Sequence, residues 1–403
     1  MKKRIFIAIH YMEIGGAEIS LVGLLHSLDY SKYDVDLFVY RHVGELMEYI
    51  PSQVNLLPEI GAYAHLECPV RKAILDGYIS LALSRLKARW QFRTYCRRYN
   101  PKDDFAHHQI VARATIGNLP SLEKYGEYDL AVSFLQPHNI VLEKVRAKKK
   151  ICWIHTDYST VSVNAGHDLP VWSGYDHIIS ISDSVTEGFL KTFPSLKEKI
   201  VLMHNILPKK FVEDRAELIP AAEVAGEMTK GDGVVNLLSV GRYSPAKNYD
   251  NVPDICRRVR EAGCNVRWYI IGYGTEEEQI RTRIRETGME DFVILLGKKI
   301  NPYPYIKACD IYVQPSRYEG NSVTVREAQM LHRPVVVTNY PTAGSQVTNG
   351  KDGLIVPMDN KGCAEGIAEM IKNVELRGTI AKNLSESDYS NESQIKIFET
   401  LIG

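Results

Sequence analysis

Residues 310–329 read D-I-Y-V-Q-P-S-R-Y-E-G-N-S-V-T-V-R-E-A-Q and decide the fold. The apolar run at 311–315 predicts a buried strand, and the Ala-, Glu- and Arg-rich part after the polar turn predicts a helix from near Asn321. Such a turn directs the first backbone N–H groups of the helix past the carboxyl end of the strand. Because these groups bind anions, we expect a phosphate site here.

Two glutamates belong to this turn and helix, Glu319 at the mouth of the turn and Glu327 after seven intervening residues. From a helix start near Asn321, Glu327 lies about 9 Å along the axis at ~1.5 Å per residue. A diphosphate on the helix N-terminus would then have a carboxylate near each end, one beside a sugar and one beside a ribose. Two ordinary explanations stay open, because Thr324 and Glu327 fit a capping box, and Arg326 and Glu319 fit an exposed ion pair.

Length and composition predict a folded protein of two domains. The 403 residues exceed the ~250–300 at which single cores stop growing. Hydrophobic residues make up 45% and charged residues 24%, which is typical of a globular chain. Lys plus Arg and Asp plus Glu both number 49, so no net charge indicates a nucleic-acid partner. The seven cysteines are scattered without C-x-x-C spacing, which indicates reduced core residues in a cytoplasmic protein.

Strand and helix signals alternate along the whole chain, which predicts an α/β protein with two doubly wound, parallel sheets. The expected strands are 4–9, 34–39, 129–134, 150–155, 177–182 and 200–205, then 235–240, 266–271, 292–296, 311–314, 334–338 and 353–356. We therefore expect a first domain at 1–206, a linker at 207–234, a second domain at 235–384 and a C-terminal helix at 385–403 that returns to the first domain.

Glycines and cations follow several of these strands, where a doubly wound sheet binds its ligand. Gly15 and Gly16 come just after the first strand, although paired glycines also occur in plain tight turns. Arg242 and Lys247 follow the first strand of the second half and share a sheet edge with Glu319. Two cations there can neutralise a diphosphate, although solvated loop cations are the simpler alternative. The sequence has no G-x-G-x-x-G or Walker pattern, which argues against a nicotinamide or flavin site.

Four segments of the second half resemble the family-4 retaining glycosyltransferases, which have the GT-B fold of two Rossmann-like domains. They are S-V-G-R-Y-S-P-A-K-N (239–248), I-I-G-Y-G-T-E (270–276), L-L-G (295–297) and E-G-N-S-V-T-V-R-E-A (319–328). In the first half, G-G-A-E (15–18) and I-H-T-D (154–157) carry the resemblance. It implies two Rossmann-like domains that face each other across a cleft and close over a nucleotide sugar.

The resemblance also implies residue roles. Glu319 begins an E-x7-E motif and faces the donor sugar, and Glu327 ends the motif and holds the ribose hydroxyls. Arg242 and Lys247 bind the diphosphate. The other implied donor contacts are Gly15 and Gly16 from the first domain, the amides of Asn321, Ser322 and Val323 at the distal phosphate, and Gly297 and Lys298 at the base.

His155 follows a strand of the first half, where the family often has a histidine that contacts the transferred sugar. A lone histidine at a strand end is more often structural, so the glutamates are the stronger candidates. Family members often have Gly-Phe-Gly after the first glutamate, whereas this chain has Gly320, Asn321 and Ser322. That difference leaves the identity of the donor open.

The implied activity is transfer of a sugar from a nucleotide-diphosphate donor to a glycan or lipid-linked glycan, with retention of configuration, in surface polysaccharide synthesis. Cations and helix N–H groups would stabilise the leaving diphosphate, so we expect no metal or other cofactor. Two alternatives remain. A nucleotide-sugar 2-epimerase of the same fold needs the same phosphate site plus acid and base residues, and a non-catalytic binding protein keeps the site alone.

Residues 71–98 have helical periodicity with many arginines and a single acid, Asp76. Such a helix suits an anionic membrane surface or a phosphate-bearing lipid acceptor, although a solvated helix face explains it about equally well. No stretch approaches the ~18–20 apolar residues of a membrane span. We therefore expect a cytoplasmic protein, with peripheral attachment to the inner membrane face as a further hypothesis.

Overall fold

The computed structural model describes residues 2–207, 209–219, 221–228, 231 and 233–403. The chain divides into two compact units. The first comprises Met1–Ile206 and Glu392–Gly403, and the second comprises Leu207–Asn391. Each unit has its own parallel sheet with helices around it, which confirms the expected α/β fold with two Rossmann-like domains.

The sheet of the first unit has the strand order β3-β2-β1-β4-β5-β6-β7. Its strands are β1 (Lys3–Ile9), β2 (Tyr33–Val39), β3 (Asn55–Leu56), β4 (Glu127–Ser133), β5 (Arg146–Ile154), β6 (His177–Ser180) and β7 (Ile200–Leu202). All neighbouring strands pair in parallel, and β1 is buried from Ile5 to Ile9 because helices cover both faces of the sheet. The edge strand β3 was not predicted, because two residues are too short for an apolar pattern.

The sheet of the second unit has the strand order β10-β9-β8-β11-β12-β13. Its strands are β8 (Val235–Val240), β9 (Val266–Ile271), β10 (Val293–Gly297), β11 (Ile311–Gln314), β12 (Val335–Thr338) and β13 (Gly353–Val356). The strand order reverses between β8 and β11, which pair directly in parallel. Ligands of doubly wound sheets bind outside the carboxyl ends of the strands at this point of reversal.

Helices connect the strands and cover both sheets. In the first unit they are α1 (Gly16–Ser27), α2 (Gly61–Ala64), α3 (Val70–Leu75), α4 (Ile79–Tyr99), α5 (Phe105–Thr115), α6 (Asn139–Lys144), α7 (Ala165–Ser173) and α8 (Asp183–Thr192). In the second unit they are α9 (Lys209–Ala216), α10 (Ala221–Glu227), α11 (Val252–Glu261), α12 (Glu277–Thr287), α13 (Tyr303–Ala308), α14 (Val323–Met330), α15 (Ala343–Gln346), α16 (Asn360–Lys372) and α17 (Val374–Ser385). The last helix, α18 (Ile395–Ile402), belongs to the first unit.

The segment predicted as a linker, 207–234, is instead part of the second unit. Val212 on α9, Val224 on α10 and Met228 directly after α10 are buried, so this segment contributes to a core that its polar composition did not indicate. The side-chain amide of Asn301 donates to the Arg215 carbonyl oxygen at 2.7 Å and attaches α9 to this core. Within the same predicted linker, Pro208, Pro220, Thr229, Lys230 and Asp232 lie outside the described residues.

The predicted C-terminal helix at 385–403 is interrupted. Helix α17 ends at Ser385 and α18 begins at Ile395, with Asn391 between them in the left-handed conformation (φ 57°). The ring of Phe398 lies 6.0 Å from that of Trp153, and the Lys149 ammonium donates to the Leu401 carbonyl oxygen at 2.7 Å. These contacts attach α18 to β5 of the first unit.

The predicted basic helix at 71–98 is also two helices, α3 and α4. The chain turns at Gly77, whose φ of 87° favours glycine, so the helical periodicity continues through a break that the pattern did not show. Among the described residues, no helix is both long enough and apolar enough to cross a membrane.

Candidate active site

Two loops meet at the carboxyl edge of the second sheet. One follows β8 and ends in a 3₁₀ turn at Pro245–Lys247, and the other connects β11 to α14. The Asn248 side chain donates to the Pro315 carbonyl oxygen at 2.9 Å, and the Arg317 amide donates to the Ala246 carbonyl oxygen at 2.8 Å. These bonds hold the predicted Lys247 loop against the predicted Glu319 loop.

Lys247 and Glu319 form an ion pair, with 2.7 Å between Lys247 Nζ and Glu319 Oε1. The same carboxylate oxygen accepts from Gln314 Nε2 at 2.9 Å and from Ser316 Oγ at 2.5 Å. The pair is largely buried, with side-chain exposures of 19% for the lysine and 10% for the glutamate. Charge-assisted hydrogen bonds of this kind are stronger than neutral ones, so both side chains have fixed positions.

The other carboxylate oxygen, Glu319 Oε2, accepts no hydrogen bond from any described residue. On Lys247, the bond to Glu319 uses one of the three donors that an ammonium group carries. The pair therefore keeps one free acceptor and further donors for a ligand. A sugar hydroxyl suits the acceptor and a phosphate oxygen suits the donors.

Two glycines make room for this arrangement. A Cβ on Gly241 would lie 3.0 Å from Lys247 Cε and 2.9 Å from the Tyr249 hydroxyl oxygen. A Cβ on Gly272 would lie 1.9 Å from the Gly241 carbonyl oxygen. The strand ends of β8 and β9 can approach this closely because neither glycine has a side chain.

Arg242, the second predicted phosphate cation, is exposed directly after Gly241. No ion pair joins it to a carboxylate within the described residues. The structure thus places both predicted cations on the β8 loop and pairs Lys247 with an acid. Arg242 keeps its charge available.

The predicted phosphate-binding amides lie at the start of α14, which begins at Val323 rather than near Asn321. Here Gln346 fixes the loop: its Oε1 accepts from the Ser322 amide at 3.0 Å, and its Nε2 donates to Asn321 Oδ1 at 2.6 Å. In this structure Gln346 occupies the Ser322 amide, so the predicted contact of that amide with a phosphate requires Gln346 to move. The later helix start also places Glu327 about one turn inside α14 rather than two.

Glu327 is buried in the second unit, with 1% of its surface exposed. Its Oε1 accepts from the Tyr303 hydroxyl at 2.8 Å, and its Oε2 has no hydrogen-bond partner in the described part of the chain. Burial raises the pKa of this carboxyl to about 7, although the Tyr303 bond lowers it. Contact between Glu327 and a ribose therefore requires Tyr303 to move, because the carboxyl group has no open surface here.

Neither ordinary explanation of the two glutamates holds. The residue before α14 is Ser322, whose side chain makes no capping bond, and Thr324 Oγ1 accepts from the Tyr312 hydroxyl at 2.8 Å. Arg326 donates to Gln329 Oε1 at 3.1 Å and to the Ser345 carbonyl oxygen at 3.1 Å, not to Glu319. The capping box and the exposed ion pair are thus both absent from the described residues.

Gly297 and Lys298, the predicted base contacts, end β10 at the outer edge of the same sheet. Gly297 has a φ of 68°, a conformation that favours glycine. The Lys298 ammonium lies 4.9 Å from the centre of the Tyr273 ring. A flat ring beside a turn is suited to stacking with a nucleobase.

The remaining predicted residues belong to the first unit. Gly15 precedes α1 and Gly16 begins it, and a Cβ on Gly15 would lie 2.2 Å from the Glu18 carboxylate. His155 directly follows β5 and packs 4.8 Å from the Phe134 ring. Its buried Nε2 has no partner among the described residues, and burial lowers its pKa to about 3. His155 is therefore a neutral imidazole at physiological pH.

Four site residues were not identified from the sequence: Gln314, Ser316, Tyr303 and Gln346. Gln314 and Ser316 are polar residues at the end of an apolar strand, and that position was the available signal. Tyr303 and Gln346 come from distant parts of the chain, so no local pattern connects them with the loop they contact.

The chain is thus a two-domain protein of the GT-B fold. It has a lysine–glutamate pair at the point of its second sheet where the strand order reverses. Residues 227–386 match the family model described as "Glycosyl transferases group 1". The solved structure of Anabaena HepE in complex with UDP and glucose aligns with a TM-score of 0.67 at 16% identity, over 99% of both chains. That likeness shows the GT-B fold.

Two relatives are similar to this chain in sequence as well. One is the N-acetylgalactosamine-N,N'-diacetylbacillosaminyl-diphospho-undecaprenol 4-alpha-N-acetylgalactosaminyltransferase of Campylobacter jejuni, 27% identical over 163 residues, which are 40% of this chain and 44% of the relative. The other is the capsular polysaccharide biosynthesis glycosyltransferase CapM of Staphylococcus aureus, 27% identical over 213 residues, 51% of this chain and 55% of the relative. The matches thus span about half the length of each relative. Together with the family match they support a glycosyltransferase.

Proposed function

We propose that this chain transfers a sugar from a nucleoside-diphosphate donor to a glycan or lipid-linked glycan, with retention of anomeric configuration. The observation that carries the proposal is the buried Lys247–Glu319 pair, 2.7 Å between charged atoms, at the switch point of the second sheet. A cation and a fixed carboxylate side by side suit a ligand that joins a phosphate to a sugar. The ordinary alternative of a solvated loop lysine does not fit the burial.

The leaving diphosphate gains negative charge as the bond between the sugar C1 and the phosphate oxygen breaks. In the proposed reaction Lys247 and Arg242 stabilise that charge, so their stabilisation is greatest in the transition state. The acceptor oxygen bonds to C1 on the face that the diphosphate leaves, and its proton passes to the departing phosphate oxygen. Glu319 Oε2 holds a hydroxyl of the transferred sugar in position, and the proposal requires no metal ion.

The remaining donor contacts stay predictions under this proposal. They are Gly15, Gly16, His155, Gly297, Lys298, Asn321, Val323 and, after movement of Tyr303, Glu327. Uridine is the first base to test, because HepE, which shares this fold, was solved with UDP and glucose. The names of the relatives point to a surface polysaccharide or a lipid-diphosphate-linked glycan as the acceptor class.

A donor screen tests this function. The chain is incubated with UDP-, GDP- and ADP-sugars, with and without a mixture of glycan and polyprenyl-diphosphate-linked acceptors, and the products are identified by mass spectrometry and NMR. We expect one α-configured donor to be used, and its sugar to become α-linked to the acceptor. Without acceptor, no such product should form. Formation of a different nucleotide sugar without acceptor would instead establish the epimerase alternative. Binding without turnover of any donor would establish a binding protein.

We further propose that α4 attaches the first unit to an anionic membrane surface. Ile79, Leu83, Leu86 and Trp90 recur at helical spacing on one side of α4 and are all exposed, Trp90 to 68%. Arg93 and Arg97 continue the same side and are exposed as well. An apolar stripe followed by arginines is typical of helices that lie in the lipid interface.

Vesicle co-sedimentation tests this attachment. We expect binding to vesicles of phosphatidylglycerol and little binding to vesicles of phosphatidylcholine. The variant Leu83→Ser with Trp90→Ser should lose most of the binding. The variant Arg93→Gln with Arg97→Gln should weaken binding about thirtyfold, because it removes two charges at ~1 kcal/mol each. Equal sedimentation of all three proteins, or none of the parent, would contradict membrane attachment by α4.

A further inference from the structure

A cavity of 680 Å³ lies within the first unit, between α4, α5 and α7 and the loop after β4. Its volume is in the range of small-molecule sites, ~300–1,000 Å³. It is separate in sequence from the Lys247–Glu319 pair, because all its lining residues belong to the first unit. The proposed donor site does not account for it.

Arg85 on α4 lines this cavity although only 9% of its surface is exposed. Its Nη1 donates to the His65 carbonyl oxygen at 3.0 Å and makes a long contact of 4.0 Å with Cys68 Sγ. Within the described residues no carboxylate pairs with it, and its Nε and Nη2 donors make no hydrogen bond. A buried guanidinium without a counter-charge is costly, so a ligand anion is the expected partner.

Two more arginines line the cavity, Arg89 one turn further along α4 and Arg113 on α5. Three acids line it too, but none of them pairs with an arginine in the described part of the chain. Asp168 accepts from Gln109 at 2.6 Å, Tyr158 at 2.9 Å and Trp172 at 3.0 Å, all at Oδ2.

The other two acids are Glu67, whose Oε1 lies 3.3 Å from His10 Nε2, and Glu143, which is exposed at the edge of the cavity. The three arginines therefore keep their charge for a ligand.

An orphaned histidine lies at the same cavity. His138, which follows β4, is 3% exposed and its Nδ1 lies 2.8 Å from Ser133 Oγ. Its Nε2 is buried without a hydrogen-bond partner among the described residues. Because this nitrogen has almost no exposed surface, it does not face the cavity, and His138 contributes a neutral ring to the lining. The remaining lining has an apolar part that includes Leu66, Phe105, Val111 and Val171, and a polar part that includes His10, His107, His108 and His167.

We infer that this cavity binds a phosphate-bearing ligand, whose anionic group meets Arg85, Arg89 and Arg113 while its apolar part packs on the aliphatic lining. The inference deepens the proposed function, because it rests on sugar transfer for naming this ligand as the acceptor. Arginine is suited to phosphate because its planar donors bind two oxygens at once. The phosphate can belong to an isoprenoid lipid or to a soluble sugar phosphate, and both share this chemistry.

Calorimetry on the full chain without any nucleotide tests the inference. The probes are farnesyl phosphate, glucose 1-phosphate and farnesol, each below its aggregation concentration. We expect saturable binding of at least one phosphate and at least tenfold weaker binding of farnesol. The double variant Arg89→Gln with Arg113→Gln should weaken phosphate binding by tenfold or more, because each lost charged hydrogen bond has an effect of that order. Both arginines are exposed enough for the variant to fold.

The matched control is Lys191→Gln, which removes a positive charge from an exposed position on α8 that does not line the cavity. It should bind the phosphates as the parent does. Tighter binding of farnesyl phosphate identifies a lipid source, and tighter binding of glucose 1-phosphate a soluble one. Equal binding of farnesol, equal binding by the double variant, or no phosphate binding at millimolar concentration overturns the inference. Because no donor is present, these results are independent of whether sugar transfer occurs.

Discussion

The carboxyl edges of the two sheets satisfy their polar groups in different ways. In the second unit, Lys247 and Glu319 are charged, paired at 2.7 Å and supported by Gln314 and Ser316. In the first unit, His138 and His155 follow adjacent strands but are neutral, because burial lowers the pKa of each to about 3. Their Nε2 atoms have no partner among the described residues.

This difference indicates what each edge recognises. Under the proposed function, a charged and pre-oriented pair suits the diphosphate and sugar of the donor. In the first unit, the cavity combines apolar side chains with Arg85, Arg89 and Arg113, which under the same proposal suits a phosphate-bearing acceptor. The second unit thus presents two opposite charges already in contact, whereas the first presents cations with no carboxylate partner among the described residues.

The largest expected effect is on catalysis at the Lys247–Glu319 pair of the second sheet. The variant Lys247→Ala should lower kcat by about 10²–10³, because one preorganised group that stabilises developing charge is lost. The control Lys361→Ala removes an exposed lysine of α16, whose nearest acid is 3.9 Å away, and should leave kcat unchanged. Steady-state rates with the donor found in the screen provide the measurement. If Lys247→Ala retained more than a third of the parent rate, the pair would have no catalytic role.

A second effect concerns stability and the buried acid Glu327. Its pKa is raised from the usual 4.5 to about 7, so the folded state keeps the proton that the unfolded state loses between these values. Stability therefore falls as pH rises from 4.5 to 7, by on the order of 3 kcal/mol at ~1.4 kcal/mol per unit. The variant Glu327→Gln cannot ionise and should remove this part of the pH dependence.

Urea denaturation of both proteins at pH 5 and pH 8 measures this effect. Asp168, whose pKa burial raises to about 6, contributes the same slope to parent and variant and cancels in the difference. We expect Glu327→Gln to gain stability relative to the parent between pH 5 and pH 8. A constant difference across that range would show that Glu327 ionises normally and is more open than this structure shows.

A third, smaller effect tests the loop before α14. The variant Gln346→Ala removes the acceptor of the buried Ser322 amide and the donor to Asn321, so we expect a loss of about 1–3 kcal/mol in unfolding free energy. The donor KM should rise about tenfold, since the loop that is proposed to contact the distal phosphate is no longer held in place. The comparison variant is Gln279→Ala, an exposed glutamine of α12. An unchanged KM with lowered stability would restrict Gln346 to a structural role.

The smallest effect is expected at His155, at the carboxyl edge of the first sheet. Burial lowers the pKa of His155 to about 3. The pH dependence of kcat/KM between pH 5 and pH 8 should therefore show no ionisation of this histidine. Profiles of the parent and of His155→Asn should run parallel over that range. A step near pH 6.5 in the parent that disappears in His155→Asn would show that the imidazole gains a proton in the working enzyme.

Much of the second unit could be predicted from the sequence, because its strands are short apolar runs that end in glycines and charged residues. The pattern placed β8, β9, β11 and β13 at their observed bounds. Lys247 and Glu319 were found because each follows a strand at the same sheet edge. Predicting that the two side chains touch would have required the strand order, in which β8 pairs with β11.

What could not be predicted depends on contacts between distant residues. Glu327 was predicted as the end of an E-x7-E motif, but it is buried and accepts a hydrogen bond from Tyr303, and no spacing rule connects these two residues. The occupied Ser322 amide depends on Gln346 in the same way. The helices α9 and α10 were missed because a polar segment can still bury a few apolar residues on a neighbouring core. The cavity beside Arg85 is assembled from α4, α5 and α7, which no single stretch of sequence describes.

The central claim is that Lys247, held in place by its ion pair with Glu319, binds the diphosphate of a nucleotide donor. The most direct measurement is the calorimetric affinity of the parent, Lys247→Ala and Lys361→Ala for the tightest binder among UDP, GDP and ADP. We expect Lys247→Ala to bind the nucleotide at least tenfold more weakly than the parent, and Lys361→Ala to bind it with the affinity of the parent. Equal affinity of all three proteins, or no nucleotide binding by the parent, would contradict it.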